Sequence, residues 1–297
     1  FAAGLPQISF HLRGKKDIQD PRTSPPTVGY SENAALCIAD FLGNTTWGFK
    51  AAMGTEIPGA ALGTAADVCD EVVTLALGGT EPRYTCNGQF EVSARRGDTL
   101  QQMLTSCAGR LSYLNGEFSI QPGSYIGPGS PPVQVDLQAL AAGPFRWRPT
   151  PSIRELFNGC KGTYISPANK WQATDFPAYA RDALHGYGGD IDLVADGGER
   201  RWLELHLPFT ISASMAQRIA KIELLRRRQG GTGTFALNMA GYQFAPLDVF
   251  QATVEYLGFE NKLLEVAAVR LAAAEHDDGV LLGVEIDVRE TAPSVYA

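Results

Sequence analysis

Cysteine is scarce in this 297-residue chain. The five residues, Cys37, Cys69, Cys86, Cys107 and Cys160, are an odd number with no C-x-x-C pair among them. A structural metal site would show close paired ligands, so these thiols read as small buried hydrophobes. That usage fits synthesis in a reducing, cytosolic compartment. Long apolar runs are also missing. Nothing approaches the ~20 consecutive residues that a membrane-spanning helix needs. Positive charge is in the minority, 25 Lys and Arg against 32 Asp and Glu, a net charge of −7. General affinity for nucleic acid is thereby disfavoured, because it needs a positive surface to displace counterions. The chain opens at Phe1 with no basic stretch ahead of an apolar one, so no signal peptide is expected. It closes at Tyr296-Ala297 just after a strand-like segment, and we read it as part of a longer polypeptide.

Catalytic motifs are as sparse. His11, His185, His206 and His276 lie far apart, without H-E-x-x-H or H-x-x-H spacing, and no G-x-S-x-G elbow occurs. Carboxylate pairs for glycoside hydrolysis need not be close in sequence, but nothing singles one out. The run Asp190-x-Asp192-x-x-x-Asp196 invites a calcium reading, yet Val194 and Ala195 stand where an EF-hand needs a ligand and a glycine. It is expected to be a solvated acidic loop. Gly230-Gly231-Thr232-Gly233-Thr234 follows a helix rather than preceding one and lacks the lysine of a phosphate loop, so it reads as a helix stop and linker. Arg226-Arg227-Arg228 is the one dense basic cluster, at a helix C-terminus where cations suit the dipole. No catalytic, cofactor-binding or metal-ligating residue is assigned, and the chain is expected not to be an enzyme.

What is present is a folded composition, 44% apolar and 19% charged, of a length that suits about two domains. Residues 5–12 alternate like a strand, and Pro21, Pro25 and Pro26 mark an extended polar stretch. Ala35, Leu36, Ile38, Ala39 and Leu42 give a helix stopped by Gly43. Thr64, with Asp67 three residues on, reads as the cap of a second helix carrying Ala65, Val68, Val72 and Leu75 inward. A short strand is expected over 90–94, and a third helix capped by Asp98 with Leu100, Met103, Leu104 and Cys107 inward, ended by Gly109. Asn115-Gly116 between Leu111-Ser112-Tyr113-Leu114 and Glu117-Phe118-Ser119-Ile120 signals a type I′ hairpin.

A Gly/Pro/Ser-rich stretch at 123–132 separates this α+β unit from a mainly β remainder. There, strands are expected at 152–165, 202–207, 248–256, 263–271 and along Leu282, Val284, Ile286 and Val288. A helix carries Met215, Ile219, Ile222 and Leu225. Strict alternation in the last strands means one dry and one wet sheet face.

Several blocks resemble one family. Arg13-Gly14-Lys15-Lys16, Asp20-Pro21-Arg22 and the run from Tyr30-Ser31-Glu32-Asn33 through Cys37-Ile38-Ala39-Asp40-Phe41-Leu42 are similar to the start of the hub region in tail-tip attachment (host specificity) proteins of long-tailed bacteriophages. Arg95-Arg96-Gly97-Asp98-Thr99-Leu100, the Asn115-Gly116-Glu117-Phe118 turn, residues 154–164, Ala245-Pro246-Leu247-Asp248-Val249 and the closing Glu290-Thr291-Ala292-Pro293-Ser294-Val295-Tyr296 follow in the same order. One departure is Leu247-Asp248, where relatives often carry Gly-Asp.

The resemblance implies an α+β, mainly β fold of tail-tube-like β-barrel or sandwich hub domains, over residues 1–30 plus 126–297, with a smaller α+β insert at 31–125. It implies a structural virion protein at the phage tail tip, a homotrimer joining the tail tube to receptor-binding or fibre parts. Distal tail, tail-tube and tape measure proteins would be its neighbours. DNA would only pass through its channel, the host envelope receptor would be met indirectly, and no cofactor is implied. A tail-associated cell-wall hydrolase or peptidase is the competing reading. So is a receptor- or carbohydrate-binding module, for which Trp147, Trp171, Tyr179, Tyr187 and Trp202 would supply aromatics.

Overall fold

A computed structural model describes residues 10–129, 133–135, 145–152, 155–276 and 279–297. The strand expected at 5–12 falls mostly outside them, and residues 10–12 are not in a strand.

The first stretch opens with a small antiparallel ribbon, β1 (Ile18–Asp20) against β2 (Thr27–Gly29). Asn33 then starts α1 (Ala34–Gly43): its side chain accepts from the Ala35 and Leu36 amides and donates to the Ala66 carbonyl at 2.8 Å. One residue thus caps one helix and ties it to the next. α1 buries Leu36, Ile38, Phe41 and Leu42 together with three alanines, which makes it a central helix rather than a surface one.

α2 (Gly59–Asp70) begins five residues before Thr64, which therefore sits inside the helix and bonds back to the Ala60 carbonyl. It also ends before Val72. The β-branched Val72-Val73-Thr74 run forms β3 (Val72–Thr74), paired with β4 (Thr80–Pro82), so the expected helix over Val72 and Leu75 is corrected to a hairpin. Residues 90–94 form a turn, not a strand.

α3 (Arg96–Thr105) carries Asp98 in its first turn rather than at the cap, and buries Leu100, Met103 and Leu104. The hairpin of β5 (Arg110–Leu114) and β6 (Glu117–Gln121) turns at Asn115 (φ 53°) and Gly116 (φ 86°), the two positive φ values that a type I′ turn requires.

Short edge strands β7 (Gln134–Val135) and β8 (Arg146–Arg148) precede β9 (Gly159–Ser166). β9 starts later than the expected 152, because residues 155–158 are irregular. It pairs antiparallel with β10 (Gln172–Asp175). After the short α4 (Ile191–Ala195), it pairs in parallel with β11 (Trp202–Leu207). Gly162 makes the parallel pair fit, since a Cβ there would lie 1.8 Å from the Leu205 carbonyl oxygen. Ser212 caps α5 (Ala213–Gln229) through the Met215 amide, and Gly230 at φ 75° ends it.

α1, α2, α3, α5 and the three-stranded sheet share one hydrophobic core, which also takes Val295 from the C-terminal segment. A second core lies on a six-stranded sheet completed by β12 (Thr232–Leu237), β13 (Val249–Val254), β14 (Phe259–His276) and β15 (Gly279–Glu290), in the order β7-β13-β14-β15-β12-β8. Phe235, Phe250, Leu264, Val266, Ile286 and Val288 fill it. β14 carries a bulge at Ala267, between the pairs Val266–Val288 and Ala268–Asp287.

The α+β, mainly β class is what the chain has. Among the described residues, however, the sheet is open, with no strand closing β7 onto β8, so it does not form a barrel.

Candidate functional surfaces

The side chains with chemistry to offer are mostly tied to one another. Asp192 of α4 is 1% exposed, and it takes the Arg181 guanidinium through both oxygens and Arg228 Nε at 3.0 Å. Asp196 receives Arg228 Nη1 at 2.8 Å and Asn158 Nδ2 at 3.2 Å, while Asp190 meets Arg200. The Arg228 hydrogen bonds hold the Asp196 carboxyl below its usual range. The acidic run is therefore corrected from a solvated loop to an ionic tie between α4 and the last turn of α5. Charges enter a protein interior at tolerable cost only when paired.

The same contacts account for the arginine cluster. Arg228 also donates to the Phe157 carbonyl. Arg226 donates to the Ala108 carbonyl at 2.6 Å and to Glu223, and it lies over the Tyr296 ring. Arg227 sits over Phe157 at 5.9 Å. Two of the three guanidinium groups are thus spent internally.

The histidines stay apart. His11 stacks on Trp171, His206 Nδ1 meets the Thr163 hydroxyl at 2.8 Å, and His185 is held by Asp182 at 2.7 Å and Gln217 at 3.1 Å. Among the described residues no three His, Cys, Asp or Glu side chains are grouped to hold a metal.

All five cysteines are free. Cys69, Cys107 and Cys160 are buried, and burial pushes the Cys69 and Cys160 thiols up to about 12. Cys37 and Cys86 are half-buried, and their mutual hydrogen bond, with burial, drives Cys37 far upward. The aromatics are divided as well. Trp147 packs in the second core, Tyr179 in the first, and Trp202 lies under Arg200 and Lys161.

Between the two cores sits Glu265 of β14, with only 3% of its side chain exposed. It is bracketed by Arg289 of β15 (Nε–Oε1 2.7 Å) and Arg110 of β5 (Nη2–Oε2 2.6 Å), and Arg110 reaches Tyr296 as well. Nearby, Leu247 holds φ 82°, unusual for a branched side chain, with its amide on the Val266 carbonyl at 2.8 Å. It lines an open groove together with Leu100, Leu104 and Leu111 of the first region.

The feature left without an internal partner is the β14–β15 ribbon. β13 pairs with β14 only as far as Glu265, and β12 with β15 only as far as Val284. The two long strands continue together to the His276–Gly279 pair. Beyond Val266 the outer edge of β14 has no strand beside it among the described residues. Leu271 and Leu282 lie on the face that carries Val284 and Ile286 into the core, yet they are 70% and 63% exposed. The dry face of the ribbon runs on past the end of the core. Sequence alternation indicates that face but not how far the core beneath it extends.

No protein-family model matches the chain. It is 24% identical over 251 residues to the tip attachment protein J of Escherichia phage SECphi27, a match covering 82% of this chain and 20% of that protein. The chain therefore spans about a fifth of that curated relative's length, and the resemblance to tail-tip attachment proteins is shown at that level. Among solved structures, a chain of the virion of a native gene transfer agent particle superimposes with a TM-score of 0.48 at 14% identity, over 72% of this chain and 43% of the other. The 43 kDa tail protein of prophage MuSo2 from Shewanella oneidensis gives a TM-score of 0.40 at 17% identity, over 70% of this chain and 54% of the other.

Proposed function

We propose that this chain is a structural, non-catalytic part of a phage tail: a hub at the tail tip in which three copies form a ring. The ring joins the tail tube to receptor-binding or fibre parts, with distal tail and tape measure proteins as neighbours and DNA only passing through. The observation that carries this reading is the ribbon. A long unpaired strand edge with an apolar face is an association hazard unless another chain covers it, and a ring of copies covers every such edge at once. The similarity to a tip attachment protein supports the same assignment. The ion pairs that occupy Asp192, Asp196, Arg226 and Arg228 favour it over a tail-associated hydrolase, which would leave such groups facing a cleft.

Native mass spectrometry of the purified chain tests the reading. A three-copy species is expected, shifting to monomer in the Leu271→Ser/Leu282→Ser double variant while the fold is retained by circular dichroism. A parent chain that stays monomeric at micromolar concentration overturns it.

A further inference from the structure

Two of the five thiols, Cys37 in α1 and Cys86 between β4 and α3, are far apart in sequence and are brought together by the fold. The segment ahead of α1 is what joins them. Asn33 pairs antiparallel with Thr85, and the Cys86 amide donates to the Glu32 carbonyl at 2.8 Å. On the helix side, the Cys37 amide donates to the Asn33 carbonyl at 3.0 Å, and Cys37 Sγ lies 3.5 Å from the Ser31 carbonyl oxygen. Both residues are thus anchored to the same three-residue stretch, and their side chains hydrogen-bond to one another.

The other three thiols are shut away. Cys69, Cys107 and Cys160 are 0% exposed, whereas Cys37 and Cys86 are half-buried where they pack against the first core. Thiol chemistry selects by access and by thiolate character. The proton between the pair is held on Cys37, whose thiol is driven far upward by the Cys86 hydrogen bond and by burial. Cys86 is therefore the sulfur free to act as the thiolate.

We propose that Cys37 and Cys86 form a reversible disulfide site, closed by exchange with a small-molecule disulfide and opened by thiols. Cys86 attacks one sulfur of the reagent, R–S–S–R, and expels the other as a thiolate. With Cys86 capped, its hydrogen bond to Cys37 is lost, and Cys37 gives its proton to the departing thiolate. Cys37 then attacks Cys86 Sγ and displaces the second R–S⁻, which is protonated by the solvent that took the Cys86 proton. Two cysteine thiols are oxidised, and one reagent disulfide is reduced to two thiols. The new bond closes a loop holding α2 and the β3–β4 hairpin, and so constrains the unfolded chain. It also staples α1 to a segment that runs on to the Phe209 carbonyl through the Asn87 amide at 2.9 Å. A chain in a reducing compartment would carry the open form, and one in an oxidising medium the closed form.

Oxidised glutathione is the probe. The full chain is incubated with it and unfolded, and the free thiols are then counted and mapped by mass spectrometry without reduction. Three of the five thiols should remain, with the peptides carrying Cys37 and Cys86 joined by the loss of two hydrogens. The melting temperature should rise by about 5 °C or more and return to its starting value on adding dithiothreitol. Cys37→Ser should accumulate glutathione on Cys86, Cys86→Ser should leave Cys37 a free thiol, and neither should gain in melting temperature. Five free thiols in the parent, glutathione left on either cysteine of the parent, or a crosslink to another cysteine overturns the site. A Cys37→Ser chain that takes up no glutathione overturns the order of attack.

Discussion

The two regions of this molecule differ in how far the described chain covers their own surfaces. In the helix-rich region, charges are consumed inside the chain. Lys15 meets Asp40, Glu81 takes Ser212, Ser214 and Arg218, and Asp192 and Asp196 take Arg181 and Arg228. In the six-stranded sheet, among the described residues, no strand covers the outer edge of β14 beyond Val266 or the outer edge of β8. One region is complete within its own sequence. The other leaves a strand edge and an apolar ribbon face uncovered among the described residues. Stability should therefore reside in the ion pairs and packing of the first region, and assembly in the second.

The largest test of that division is Asp192→Ala. It leaves Arg181 and Arg228 without their buried partner and should cost about 3–5 kcal/mol in urea unfolding, with the oligomer intact where the protein still folds. A cost below about 1 kcal/mol, the range of an exposed pair, would break the comparison.

Next in size is Leu247, where the sheet region meets α3. Leu247→Ala keeps the positive φ and removes most of a half-buried side chain, a cost of about 1–2 kcal/mol. Leu247→Gly removes the same side chain but relieves the backbone, so it should be closer to the parent than the alanine variant in thermal melts. If the order is reversed, the positive φ at this turn carries no appreciable cost.

The smallest effect expected is the acid dependence. Asp196 and Glu81 are both held below their ordinary carboxyl values. Arg228 does this for Asp196, and for Glu81 the hydrogen bonds from Ser212, Arg218 and Ser214 outweigh its burial. Their stabilisation is present above the unfolded values of about 4 and is lost as pH falls through the lowered folded ones. Melting temperature should thus hold level down to about pH 5 and drop below pH 4, and removing Asp196 by Asp196→Asn should flatten that drop.

Much of the fold was legible where local chemistry decides it. α1, α5, β11, the Asn115-Gly116 hairpin and the alternation of β15 all follow from spacing, caps and turn residues that lie within a few positions of one another. α2 misled because Thr64 has the chemistry of a cap, while Pro58 with the Gly59-Ala60-Ala61-Leu62 stretch had already begun the helix. The acidic run and the arginine cluster were each visible, but their pairing spans 32 to 36 positions, and nothing local distinguishes a carboxylate facing water from one facing Arg228. The ribbon was legible as strands. Its exposure was not, because that depends on where β12 and β13 stop.

Ala267 is one surplus residue in β14, and its place in the ladder has a geometric result. Deleting it would leave Val266 opposite Val288 and Ala268 opposite Asp287, so no side chain would change sides. What would change is heading, since an unpaired residue bends its strand and tightens the local twist. A single alanine thus bears on the angle at which the projecting arm leaves the body.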